Sequence, residues 1–261
     1  MKCDLDDLAA GGMTREEFQE ALLTIMEQKI HWAWPLFESG KVTKEKLHLH
    51  LESEYGTYVR DFPILVARAY VQCPHAEVRR ELIENIYEEE TGALAAGKPH
   101  GELFLLYPQG LGMDIQRFRN LTLMPSAAEF REKLNRLTLN EGWELAAAVT
   151  TLFLEGTSFE RGELDPLAAK RPTPPLTEHP LVKHYDLDIR QLELTRAHRK
   201  VEGSHRAAAW RTIVNFVNPD QYAHVLWGMK EALDAWLTYR DDVAHQCGLC
   251  RPAIDGVRNT E

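Results

Sequence analysis

Apolar positions recur at intervals of three and four residues along nearly the whole chain, and no run of alternating β-branched residues interrupts them, so the pattern predicts an all-α protein. Start and stop signals divide it into about seven to eight helices. Thr14-Arg15-Glu16-Glu17 has the form of a capping box and opens a helix to about Lys29, and a short turn from Trp32 to Phe37 stops at Ser39-Gly40. Thr43 opens a long helix expected to reach about Gln72, bent near Pro63; Pro74 starts the next, to about Glu90, before Thr91-Gly92. His100 to Leu111 forms a further helix closed by Gly112, and Ser126-Ala127-Ala128-Glu129 reads as a capping box for a segment that resumes after Asn140 and runs to about Arg161. Four proline dipeptides between residues 162 and 180 exclude regular helix there, so this stretch is expected to be an irregular crossover. Helices on both sides of it are needed to complete one core, which makes residues 1–261 a single domain. A helix from about Asp188 to Phe216, another from Pro219 to about His245 and a loose tail over 246–261 complete the reading.

Composition narrows the function classes. A net charge of −10, with no cluster of Lys and Arg interleaved with aromatics, argues against a nucleic-acid surface and against a polyanionic ligand. The acid-rich first thirty residues lack a basic start and an apolar core, so no secretory leader is visible, and no apolar run approaches the roughly 18 residues of a membrane span. The expectation is a soluble cytoplasmic protein. Cysteines at 3, 73, 247 and 250 make no disulfide framework in a chain of this size, and Cys247-Gly248-Leu249-Cys250, with no second half following, reads as two reduced thiols.

The candidate chemistry lies in His198, Glu202 and His205, which stand at i, i+4 and i+7 of one predicted helix and share a face with Leu194, Val201 and Ala208 to Trp210. Two imidazoles and a carboxylate turned toward a core are costly unless satisfied, and metal coordination satisfies them. Glu89 shares a face with Leu82 and Ile86, and Glu155 follows the apolar run Leu152-Phe153-Leu154. Glu54, Tyr58 and Asp61 form a stripe on the long helix, and His100 opens the helix after Glu89. From the turn at Cys73-Pro74, Glu54 lies about nineteen residues back and Glu89 about fifteen forward, so antiparallel packing at about 1.5 Å per residue brings them to nearly one level. Glu54, Glu89, His100, Glu155, His198, Glu202 and His205 together match the pattern by which helical bundles hold a pair of iron or manganese ions. Asp61 competes with Glu54, and Glu90 with Glu89. Any one of these histidines taken alone is more readily explained as a hydrogen-bonded core residue, and Glu88 to Glu90 as a solvated helix end.

These residues resemble the heme-oxygenase-like diiron oxidases, relatives of TenA, of PqqC and of the chlamydial death-domain-associating protein. The resemblance is carried by Tyr58-Val59-Arg60-Asp61-Phe62-Pro63, the stretch from Arg79 to Glu89, His100-Gly101-Glu102-Leu103-Phe104 with Gly110-Leu111-Gly112 behind it, Leu154-Glu155-Gly156, and the spacing of His198, Glu202 and His205. It implies a heme-oxygenase-like helical bundle, with the ligand set falling on the seven residues named above. Position 202 is Glu where the family pattern has Asp. The full carboxylate set favours the metal-dependent branch over the metal-free TenA and PqqC types. The implied cofactor is Fe(II), as two ions with Mn/Fe as the alternative, and dioxygen is the co-substrate. The implied reaction is oxidation of a small amine, amino acid or acyl compound by N-oxygenation, C–C cleavage or oxidative decarboxylation. The implied partners are a small-molecule substrate, with an external reductant as an option, and neither nucleic acid nor membrane; monomer and homodimer stay equally open. One branch of the family oxidises a tyrosine of its own chain; the matching position here is Trp34, with Tyr55, Tyr58 and Tyr87 as possible substitutes. A metal-free enzyme and a non-catalytic helical binding protein remain the competing readings.

Overall fold

In the computed structural model, residues 12–169 and 171–252 are described, with the side chain of Glu202 outside the description. Among the described residues the chain is helical throughout, as the periodicity predicts, and no strand occurs. The first helices are α1 (Arg15–Glu27), α2 (Trp34–Glu38), α3 (Lys44–Glu54), α4 (Phe62–Gln72) and α5 (Ala76–Thr91). They are followed by α6 (His100–Phe104), α7 (Leu106–Gly110), α8 (Pro125–Leu139), α9 (Trp143–Ala147) and α10 (Glu160–Leu164). The last are α11 (Pro180–Tyr185), α12 (Glu193–Phe216) and α13 (Tyr222–Gln246).

There are more segments than the seven to eight expected because the long helices are interrupted. The helix expected from Thr43 to Gln72 is broken by a π-helical turn, Tyr55–Val59, and by Asp61 before Pro63. The segment expected between Asn140 and Arg161 passes from α9 into a π-helical stretch, Ala148–Leu154, and stops before α10. Threonine hydroxyls in both widened stretches bond to the carbonyls four residues back: Thr57 Oγ1 donates to the Ser53 carbonyl, and Thr150 and Thr151 donate to the carbonyls of Ala146 and Ala147. π-turns of this kind cluster at functional sites, where they re-aim side chains.

Thr14 forms the expected capping box with Glu17. The second proposed box does not form: α8 begins at Pro125, and Ser126 is buried inside its first turn rather than capping it. The crossover carries more helix than expected, since α10 runs to Leu164 and α11 starts at Pro180. The tail also departs from expectation, because Cys247 and Leu249 are buried and pack into the core. Cys73, Cys247 and Cys250 are free thiols, whereas Cys3 lies outside the described residues.

One apolar cluster draws residues from α1 through α13. Helix α4 packs on α5 and α9; α13 lies against α8, α1 and α3; and α12 covers α5, α6 and the π-helical stretch 148–154. Glu54 and Glu89, expected at one level across the α4–α5 turn, line the same cavity.

Candidate metal centre

Glu89 occupies the last turn of α5, which ends because Gly92 adopts a left-handed conformation with φ 61°. A side chain there would lie 2.1 Å from the Lys98 carbonyl oxygen, so only glycine lets the chain fold back toward His100. Glu88, fully buried, braces the same turn: Oε2 accepts the Leu94 N–H at 2.6 Å, and Oε1 lies 3.3 Å from His100 Nε2. A carboxylate only accepts, so Nε2 carries a proton toward Glu88 and the imidazole is fixed in orientation.

The other ring nitrogen faces inward. His100 Nδ1 stands 2.7 Å from Glu89 Oε1 without the alignment of a hydrogen bond. Burial alone pushes the His100 imidazole down, but the carboxylates of Glu89 and Glu88 outweigh it and raise its pKa above the ordinary histidine range. The ring of His198, on α12, lies 5.1 Å from that of His100, and one ligating atom each of Glu89, His100 and His198 falls within 4.8 Å of the others. His205, two turns further along α12, has its Nε2 buried with no hydrogen-bond partner. Burial outweighs the charges of Glu89, Glu84 and Glu88 and lowers its pKa, so it stands as a neutral ring, the form that binds metal. Glu155 follows the π-helical stretch; its Oε1 accepts from Asn85 Nδ2 at 2.8 Å. The backbone of Glu202 lies in α12 between the two histidines, and its side chain is outside the described residues.

Glu54, Glu89, His100, Glu155, His198 and His205 all line one cavity of about 320 Å³, six of the seven residues the sequence singled out. Its remaining wall is largely apolar, with Val59, Phe62, Phe104, Leu154, Leu194 and Val201, plus Tyr58 and Tyr107. Nitrogen and carboxylate donors in this mixture suit iron or manganese, His205 Nε2 is buried without a hydrogen-bond partner and His100 Nδ1 faces only the Glu89 carboxylate, so the donor set fits such an ion.

Glu54 is placed differently from the others. Oε1 accepts from the Tyr58 hydroxyl and from Arg240 Nη2 at 2.9 Å, and Oε2 lies 3.2 Å from His50 Nε2. Burial alone would raise this carboxyl, but the Arg240 guanidinium, helped by His50 and Tyr58, holds it down at about 2. Arg240 itself is 5% exposed, with its guanidinium over the rings of Trp34, Trp236 and Tyr239. The two open alternatives divide clearly: Asp61 is held by Arg60 and Arg131 and does not line the cavity, and Glu90 is exposed. Of the tyrosines, Tyr87 is 53% exposed, and Tyr55 packs on Phe104 and Phe118.

Sequence reasoning passed over Glu88, Asn85 and Arg240. Asn85 lies four residues before Glu89 and three after Leu82, which places it on the same face; Arg240 stands between Trp236 and Val243 at helical spacing, an inward cation in an apolar stripe. Glu88 gave no such signal, because its partners arrive from the loop beyond Gly92.

Residues 50–237 match the family described as iron-containing redox enzymes. The chain is similar to a 4-aminobenzoate synthase of Chlamydia pneumoniae, 21% identical over 208 residues that cover 78% of this chain and 83% of that one. Among solved structures it is similar to a TenA homologue of Pseudomonas syringae, with TM-score 0.67 and 11% identity, covering 91% of this chain and 98% of that one. It is also similar to a CADD-like protein of unknown function from Nostoc punctiforme, with TM-score 0.60 and 16% identity, covering 93% and 95%. At these identities the solved structures speak for the TenA-like fold alone.

Proposed function

Because the chain belongs to the family of iron-containing redox enzymes, we propose that it is a non-heme diiron oxidase that uses dioxygen to oxidise a small amine, amino acid or acyl compound. The observation that carries the reading is the convergence of Glu89, His100 and His198 within 4.8 Å, with Glu155 and His205 on the same cavity wall. In this reading Glu89, His100, Glu155, His198, Glu202 and His205 hold the ions. Glu54, already engaged by Arg240 and Tyr58, serves as a charge-compensated wall of the cavity. Two ferrous ions held there would supply the electrons and open positions that reductive activation of dioxygen requires.

The chain's own residues have distinct parts. Glu88 fixes the orientation of the His100 ring, and Asn85 that of the Glu155 carboxylate, through 2.8 Å to its Oε1. Phe62, Phe104, Leu154, Leu194 and Val201 keep the far side of the cavity apolar and restrict water at the reacting face. Tyr58 and Tyr107 offer the hydroxyls that orient a substrate's polar end; the Tyr107 hydroxyl is steadied at 2.8 Å from Thr195 Oγ1. A cavity of about 320 Å³ suits a small molecule. The test is anaerobic ferrous loading followed by rapid mixing with oxygenated buffer. Bound iron and a transient visible absorption are expected, and absence of both would refute the reading.

One observation favours a second reading, oxidation of a tyrosine of the chain itself. The curated relative is named as a 4-aminobenzoate synthase, and Tyr58, unlike Tyr55 and Tyr87, presents its side chain to the cavity beside the centre. Position 34, where the matching tyrosine would stand, holds Trp34. Intact-protein mass spectrometry after turnover separates the two: loss of mass mapped to Tyr58 supports self-oxidation, and an unchanged chain supports an external substrate.

A further inference from the structure

Behind His205 a second cavity, of about 150 Å³, opens to solvent between α5 and α12. Exposed Glu81 and Glu84 of α5 stand on one wall and Ala208 and Arg211 of α12 on the other, with Arg211 3.9 Å from Glu81. Its lining includes Asn85 and His205, and His205 also lines the larger cavity, so the two spaces meet at one imidazole.

Asn85 decides what such a passage favours. The residue is 5% exposed, and its Nδ2 donates to Glu155 Oε1. A carboxylate oxygen only accepts, so the amide cannot be flipped, and Oδ1 must turn away from Glu155. That oxygen is buried with no hydrogen-bond partner, and the same holds for Nε2 of His205. A buried acceptor without a donor, in a cavity whose rim sets the two carboxylates of Glu81 and Glu84 against the single guanidinium of Arg211, is suited to a cation and not to an anion or an apolar molecule. The small alanine at 208 leaves the space open.

We infer that this second cavity is the entry path of the divalent metal ion, with Glu81 and Glu84 gathering the ion at the rim and Asn85 Oδ1 and His205 passing it to the centre. The inference rests on the metal-centre reading above. It leaves the larger cavity to the substrate, so that loading and substrate binding do not compete for one opening.

The test is the rate of cobalt(II) uptake by the apoprotein, followed by the visible absorption of bound Co²⁺ in stopped flow, together with the final cobalt content per chain. Two variants are compared with the parent: the double substitution Glu81→Gln with Glu84→Gln, at exposed positions that leave the fold intact, and Ala208→Leu, which narrows the passage. Uptake is expected to fall about tenfold in each, and to lose much of its ionic-strength dependence in the double variant, with final cobalt content unchanged. Parent-like rates in both variants overturn the entry path while leaving the centre standing. A parent protein that binds no cobalt overturns the centre and the path together.

Discussion

At the scale of single residues the account rests on which carboxylates are free to bind metal and which are held by the protein. Glu88 is a buried carboxylate facing His100 Nε2, so Glu88→Gln should leave the fold intact and weaken metal binding by about 10- to 100-fold, read by competition against a chromophoric chelator. His198→Ala should remove a ligand outright and abolish stoichiometric binding in the same titration. Glu54 gives a pH signature. Its folded pKa is depressed from 4.5 to about 2 by Arg240, so its contribution is fully present above about pH 5 and is lost as pH falls toward 2. That contribution is of the order of 3 kcal/mol, and urea unfolding from pH 6 to pH 3 should show a markedly flatter acid limb in Glu54→Gln than in the parent. Residue types and spacings made His198, His205, Glu89, Glu155 and His100 legible in the sequence, because each stands on an apolar face or at a helix start. They did not separate Glu54 from the rest, since its partner Arg240 lies 186 residues away and no local pattern records that pairing.

Between residues and fold stand the helix interruptions. The π-helical stretch 148–154 and the turn that follows aim Glu155, and two features hold that turn. Lys29 Nζ donates to the carbonyls of Phe153, Leu154 and Gly156, and burial together with the charge of Arg240 pushes its pKa down to about 7. Gly156 approaches the preceding turn so closely that a Cβ would lie 2.1 Å from the Leu152 carbonyl oxygen and 2.7 Å from Met26 Cε. Gly156→Ala should therefore cost about 1–3 kcal/mol in chemical denaturation and lower metal content, because the backbone beside Glu155 must move. Periodicity finds an apolar face but not a widened turn, and residues 148–153 are all buried, so no solvent-facing position there marks the change. For that reason the spacing predicts continuous helices where the structure has π-helical stretches. The Ser126 capping motif misled for a similar reason, as Pro125 starts α8 one position earlier and draws the serine into the helix.

On the scale of the whole molecule, the class was the most legible feature, since helical spacing continues through every long segment and the same segments share one core. No described helix is long and apolar enough to cross a membrane. The proposed ligands come from α5, α6, α12 and the turn after residue 154, and would therefore tie together elements that are remote in sequence. Ferrous iron or cobalt at 100 times its dissociation constant should then stabilise the folded state by about 2.7 kcal/mol, seen as a rise in Tm that is absent in His198→Ala. The central claim, that these side chains surround two metal ions, is tested most directly by anomalous diffraction at the iron edge from crystals loaded anaerobically with ferrous iron. The account predicts two peaks within coordination distance of Glu89, His100, Glu155, His198 and His205; a map with no peak there, or with iron only at surface carboxylates, would contradict it.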